Sequence, residues 1–423
     1  LNFYRFIVNI FVKLATYIKY SHKENIMRKI FYPILASALF LASAQLVTAQ
    51  DNLVNSLSKN VSENSKDAFK FTEVINLAKT PVENQGSSGT CWSYSGNSFF
   101  ESEMLRMGKQ PIQLSAIFNA RNTYVEKGKQ YVRMHGATTL GDGGSFFDVL
   151  NTIKKYGAVP AETYSGLNYG TKTNQFGEMA AIQEGVLKAV VSNPNGKLTP
   201  NWEKAYTAVI DSYLGQYPTD FTYNGKKYTP RTFADQVVGI NPNDYLAITS
   251  FKEQPYYTSY VLAIPDNWAY EAFYNIPMTE MTDNIDYALK NGYTVAWATD
   301  VSEKGFSWKN GVAYVPEVDF ADMTAQQKAD MFKGPKPEKV ITEDLRQAAF
   351  DDYQTTDDHG MHIVGTAKDQ NGKEYYIVKN SWGLTNDYEG YLYVTKAFVQ
   401  YKTTNILIHK NGVQKQTLKK LGK

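Results

Sequence analysis

The sequence is nearly without cysteine, poor in histidine and almost without net charge. One cysteine in 423 residues excludes an intramolecular disulfide, a multi-cysteine zinc site and an iron–sulfur cluster. Of the five histidines (His22, His135, His359, His362, His409), only His359 and His362 lie close together. Lys+Arg 44 against Asp+Glu 42 leaves +2, which gives no electrostatic footprint for a nucleic-acid backbone. No repeat or low-complexity run is present, and 43% hydrophobic with 20% charged residues is globular rather than disordered composition. What abounds is aromatic: 31 Tyr and 22 Phe are enough for a large core or for peptide- and sugar-binding surfaces.

The N-terminus reads as an address. Met27-Arg28-Lys29 precedes an apolar run from Ile30 to Leu46 and then Val47-Thr48-Ala49. A charged start, an apolar stretch and small residues at the exit describe a secretory signal peptide, 27–49, cut after Ala49. The location expected is therefore secreted or periplasmic. The rival, an uncleaved membrane anchor, is disfavoured by Pro33, Gln45 and the small-residue exit. Residues 1–26 read as an upstream extension and 50–66 as a polar leader.

The lone cysteine stands where a nucleophile is useful. Gln85-Gly86-Ser87-Ser88-Gly89-Thr90 is a Gly/Ser-rich loop running into Cys91, and Trp92, Phe99, Met104 and Leu105 follow at roughly helical spacing. Ser95 and Gly96 would let a neighbour approach closely, and Gly108 supplies a stop. Cys91 thus falls at a helix N-terminus, where unsatisfied amides favour a thiolate, so a depressed thiol pKa is expected. A lone cysteine is ordinarily a small buried hydrophobe. Its place behind a glycine loop in an exported chain argues for use.

Thiolate chemistry needs an acid/base partner, a group that orients it, and an oxyanion hole. Residues 357–394 read as strands His359–Ala367, Glu374–Lys379 and Gly390–Val394, with Asp369-Gln370-Asn371-Gly372 as a hairpin turn. Such a hairpin brings His359 beside Asn380, within a residue or two of register. An imidazole held by a neutral amide completes a Cys-His-Asn arrangement.

Those residues resemble the papain-like cysteine peptidases. Gln85, six residues before Cys91-Trp92, then Asp358-His359-Gly360, then Asn380-Ser381-Trp382-Gly383 occur in the family's order and local spacing. The resemblance implies Cys91 as nucleophile, His359 rather than His362 as general acid/base, and Asn380 as its orienter. It also implies Gln85 as the side-chain donor of the oxyanion hole, with Trp382 shielding the His–Asn hydrogen bond and grouped with the substrate-binding residues. Two departures narrow the branch. Ser88 stands where papain and the secreted cathepsins carry a disulfide cysteine, and His359 lies 268 residues beyond Cys91, about twice the usual separation. Both features resemble the bleomycin hydrolase / aminopeptidase C branch. So do Asp142-Gly143-Gly144 leading into a helix, and Tyr293–Trp297 followed by Asp300-Val301-Ser302.

The expectation is an α+β, two-lobed papain-like fold over 67–409, with an insertion at about 165–290 and a C-terminal tail at 410–423. The insertion holds helix-like Phe176–Val191, Asn201–Leu214 and Arg231–Val238 and a hairpin-like Phe221–Tyr228, and is expected to narrow one end of the cleft. Gly143 and Gly144 would let an extended peptide pair with exposed backbone. The activity implied is peptide-bond hydrolysis through a thioester, without metal or organic cofactor, acting as an aminopeptidase. Endopeptidase action and a peptide-binding pseudo-enzyme are the alternatives. The resemblance further implies a homo-hexamer, and a C-terminal tail that lies in the cleft to receive the substrate's free amine. The carboxylate pairs Asp351-Asp352 and Asp357-Asp358 read as solvated acidic loop.

Overall fold

The computed structural model describes residues 68–193 and 196–423; the signal peptide, its cleavage site and the polar leader lie outside the described residues. Five helices build one half: α1 (Cys91–Arg106), α2 (Ala116–Arg133), α3 (Phe146–Lys155), α4 (Gly177–Val191) and α5 (Asn201–Leu214). The hairpin β2 (Phe221–Tyr223) and β3 (Lys226–Tyr228) and the short α6 (Pro230–Phe233) complete it. Three further helices, α7 (Met278–Lys290), α9 (Glu343–Asp351) and α10 (Lys396–Lys402), accompany a large sheet; α8 (Ala325–Ala329) and α11 (Lys415–Lys420) are short.

The sheet is 11-stranded, with β1 (Thr72–Asn76) paired to β10 (His359–Lys368) off the main path. The path begins with β5 (Ser259–Val261), β6 (Ala272–Asn275), β4 (Tyr245–Thr249), β13 (Thr403–His409) and β7 (Val295–Thr299). It continues through β10, β11 (Glu374–Lys379), β12 (Tyr391–Thr395), β9 (Val312–Ala313) and β8 (Phe306–Ser307). Its strands divide their side chains by the period of two. Ala247, Ala296 and Leu407 join the core shared with α1, α2 and α3, whereas Leu246, Ile248, Val295, Trp297, Ile406 and Ile408 join the core with α7 and α10. The sheet is therefore covered on both faces, which explains why its central strands read as nearly continuous apolar runs.

Apart from the half-buried Tyr94, helix α1 is buried from Cys91 to Met104, not only on one stripe as its spacing suggested. Its polar side chains are satisfied internally. Ser93 Oγ donates to the Ala116 carbonyl at 2.7 Å, and Asn97 Nδ2 to the Leu114 carbonyl at 2.9 Å. Gly96 admits α3, since a Cβ there would stand 2.8 Å from Val149 Cγ2.

The insertion forms the helices and hairpin expected, but its second half is no appendage. Strands β4, β5 and β6 extend the main sheet through β13. Helices α4 and α5 pack on α2, where Tyr206 lies over Gly128 and donates to the Tyr124 carbonyl at 3.0 Å. The part that reaches the cleft is the loop between β5 and β6.

The C-terminal tail is ordered and packed away from the cleft. Gln414 N donates to Asn284 Oδ1 at 2.8 Å, Thr417 Oγ1 to Glu280 Oε1 at 2.6 Å, and Lys420 pairs with Glu280 at 3.1 Å. Leu418 and the buried Leu421 pack into the core beneath α7, on the sheet face turned away from α1. The tail expected in the cleft is thus a helix clamped to α7, because its leucines find an apolar groove there. Deleting Leu418 to Lys423 should lower Tm yet leave the ratio of exo- to endo-cleavage unchanged. A shift of that ratio toward internal bonds, measured on one peptide with free and blocked N-termini, would restore the tail to the cleft.

Candidate active site

Three segments meet. Cys91 opens α1, His359 opens β10, and Asn380 follows the last residue of β11. The β10–β11 hairpin sets the second and third. Asp369 Oδ1 accepts from the backbone N–H of Asn371 at 2.8 Å and of Lys373 at 3.0 Å, while Gly372 takes φ +82°. The register opposes His362 to Lys379, which places His359 next to Asn380, and Asn380 Oδ1 lies 2.7 Å from His359 Nε2. With Nε2 protonated, Nδ1 is left as the basic nitrogen. Trp382 covers this pair, its ring centroid 4.6 Å from the imidazole, and is backed by Phe306 and Trp308. It is 6% exposed.

The Gln85 loop is tied to the Asn380 loop by Gln85 N donating to the Ser381 carbonyl at 2.8 Å and Ser381 Oγ donating to Gln85 Oε1 at 2.7 Å. One Nε2 hydrogen of Gln85 goes to the Ser88 carbonyl at 2.7 Å, so the amide keeps its second hydrogen for another acceptor. Ser88 Oγ donates to the Gln85 carbonyl at 2.7 Å and lies 2.5 Å from Thr90 Oγ1. Hydrogen bonds therefore close the loop around Ser88.

Cys91, Trp92, His359 and Gly360 line one pocket with Gly144 and Phe146. The thiol state differs from the expectation. Burial pushes Cys91 up to about 12, with Asp266 and Asp357 adding to the rise, against backbone hydrogen bonds from Gly360 and Trp92. Burial also lowers His359 to about 4, opposed by the Asn380 hydrogen bond and then Asp358. Burial thus favours the uncharged form of both groups, against the helix N-terminus at Cys91 and the Asn380 hydrogen bond at His359. Iodoacetamide should then alkylate the resting enzyme slowly at mildly acidic pH.

His362 points the other way along the strand. It is fully buried, with Nδ1 2.9 Å from Ser98 Oγ, and joins a network beneath the site. Gly143 and Gly144 stand at the cleft edge for reasons of space. A side chain at 143 would run into the Asp266 carboxylate, and a Cβ at 144 would come 2.7 Å from the Trp92 ring.

Sequence reasoning missed Asp266, Ile264 and Asn405, which also line the pocket, and misread Asp357. Asp357 faces the cleft instead of solvent, and Asp358 accepts from Thr356 Oγ1 at 2.6 Å and Ser302 N at 3.2 Å. Pro265-Asp266-Asn267 has turn composition and gave no sign of a cleft residue.

The Peptidase C1-like family matches residues 216–423. Aminopeptidase C of Streptococcus thermophilus is 24% identical over 440 aligned positions, covering 94% of this chain and 95% of that protein. The mitochondrial cysteine proteinase 1 of Saccharomyces cerevisiae (strain ATCC 204508 / S288c) is 21% identical, covering 94% and 88%. The crystal structure of PepW from Lactobacillus rhamnosis HN001 matches with a TM-score of 0.62 at 20% identity over 91% of this chain and 94% of that one, a shared fold. The chain thus has the α+β papain-like fold, matches the Peptidase C1-like family over its second half, and is similar along nearly its whole length to a protein named aminopeptidase C.

Proposed function

We propose that the protein is an exported aminopeptidase working through Cys91, His359 and Asn380. The observation that carries the reading is the 2.7 Å His359–Asn380 hydrogen bond beneath Trp382, opening on the pocket that holds Cys91. Export rests on Met27-Arg28-Lys29 and the apolar run to Ala49.

In this mechanism the Cys91 thiol gives its proton to His359 Nδ1 as sulfur attacks the scissile carbonyl. The tetrahedral oxyanion faces the Cys91 backbone N–H at the start of α1 and the spare hydrogen of Gln85 Nε2. His359 returns the proton to the leaving amine, which departs, and a thioester remains on Cys91. Water, deprotonated by His359, then attacks the thioester, the carbon–sulfur bond breaks to release the acid, and His359 returns the proton to the Cys91 sulfur. Asn380 Oδ1, by accepting from Nε2, leaves Nδ1 as the nitrogen for the proton transfers.

The test is one peptide with its N-terminus free or acetylated, offered to the wild type and to Cys91→Ala. Turnover of the free form, slow turnover of the acetylated form and none in Cys91→Ala is the expected pattern. Equal turnover of both forms would make the protein an endopeptidase. Turnover surviving Cys91→Ala would remove the thiol from the chemistry.

A further inference from the structure

The cleft carries more negative charge than its hydrolytic chemistry requires. The loop between β5 and β6 lays Ile264 and Asp266 against the wall that holds Cys91. The Asp266 carboxylate sits over Gly143 and accepts the backbone N–H of Gly144. Beside it lies Asp357, whose Oδ2 is 3.4 Å from the Asp266 backbone N–H. The two carboxylates repel one another. Burial and that repulsion raise Asp266 well above the ordinary carboxylate range, and burial raises Asp357 to about 7. One buried cation faces them, Lys127, and its ammonium donates to the carbonyls of Gly141 at 2.6 Å and Gly143 at 2.5 Å. That same cation also neutralises Asp142 and Asp148. The end of the pocket is therefore short of positive charge. The free space left beside the thiol is about 10 Å³, room for one water, which is comparable to an ammonium group.

The glycine strip makes the position of Asp266 informative. An extended peptide running past Cys91 would use the Gly144 N–H to bind the carbonyl of the residue before the one being cleaved. The Asp266 carboxylate stands over Gly143 and close to that N–H, so an extended chain would meet it there. A chain that ends one residue before the scissile bond has no such carbonyl. It presents an α-ammonium at that point instead.

On the reading of the protein as an aminopeptidase, we infer that Asp266, supported by Asp357, is the specificity-determining residue that receives the substrate's α-ammonium and excludes longer chains. The charge-assisted contact supplies affinity for free N-termini, and the occupied Gly144 N–H denies an acylated one its backbone partner. Asp266 and Asp357 add to the rise that burial imposes on the Cys91 thiol, and a bound ammonium offsets their share, so the correct substrate eases formation of the thiolate. The tail clamped to α7 is not needed for this selection.

The experiment measures kcat and KM for an aminoacyl-methylcoumarylamide and its N-acetyl derivative, with wild type, Asp266→Asn and Asp266→Ser. Both variants are expected to raise KM for the free substrate at least tenfold. Their preference for the free over the acetylated form should fall by about 100-fold. Cys91 in both should react with iodoacetamide faster than in the wild type, because the carboxylate that adds to the rise of the thiol is gone. Variants that keep the wild-type preference within threefold overturn the inference. So does loss of both turnover and alkylation in both variants, which would make Asp266 a strut of its loop. A wild type that cleaves neither substrate, or a Cys91→Ala variant that cleaves one, defeats the underlying aminopeptidase reading instead.

Discussion

Replacing His359 with alanine should lower turnover by about 10⁴-fold, at the upper end for loss of a general acid/base, while the fold is retained. The imidazole serves twice, to take the thiol proton and to activate the deacylating water, and burial, which favours the uncharged thiol, adds weight to the first transfer. His362→Ala is the matched control. His362 is equally buried, but its Nδ1 meets Ser98 and its ring packs edge-on against Phe99 at 6.0 Å. Its removal should cost about 1–3 kcal/mol of stability, by leaving a buried hydroxyl short of a partner, with kcat within a few-fold of wild type. Stopped turnover in His362→Ala with an active His359→Ala would mean that the hairpin register places the wrong imidazole at sulfur.

That register was legible in the sequence because it depends on neighbours. Asn371-Gly372 fixes the turn, the flanking strands alternate, and the pairing of His362 with Lys379 leaves His359 beside Asn380. The start of α1 at Cys91 was legible for the same reason, as a glycine loop entering an apolar repeat. The state of the thiol was not. It is decided by desolvation and by Asp266, which arrives from a loop far along the chain whose composition signals only a turn. The tail illustrates the same limit. Its Leu418 and Leu421 spacing suits a short amphipathic helix, but nothing local tells whether the groove it fills lies in the cleft or under α7. Family resemblance pointed to the cleft, and the packing of Thr417 and Lys420 on Glu280 overrode it.

Lys379→Met should destabilise the protein by about 3–5 kcal/mol, the cost of leaving a buried charge without its counter-charge. Lys379 sits directly before Asn380, is 3% exposed, and donates through Nζ to Ser98 Oγ at 2.8 Å and Thr80 Oγ1 at 3.1 Å. Thr80 passes the contact to Glu101 Oε2, and Glu101 Oε1 accepts the Leu114 N–H at 2.7 Å. Burial raises Glu101 and lowers Lys379, and each opposes the other's shift, so the ion pair is held together by the relay rather than by direct contact. Burial and Glu101 lift Glu83 to about 8, so Glu101, the first-named carboxylate acting on Lys379, is its principal counter-charge. Removing only the ammonium strands Glu101 in the core. Replacing both, in Lys379→Met with Glu101→Leu, should recover most of the loss, since an apolar pair of similar volume has no desolvation to offset. Denaturant unfolding of the two singles and the double closes the cycle. Additive losses would show that the relay carries no coupling. Recovered stability without recovered kcat would show that the buried charge serves to hold Asn380, and through it the imidazole, in register with sulfur.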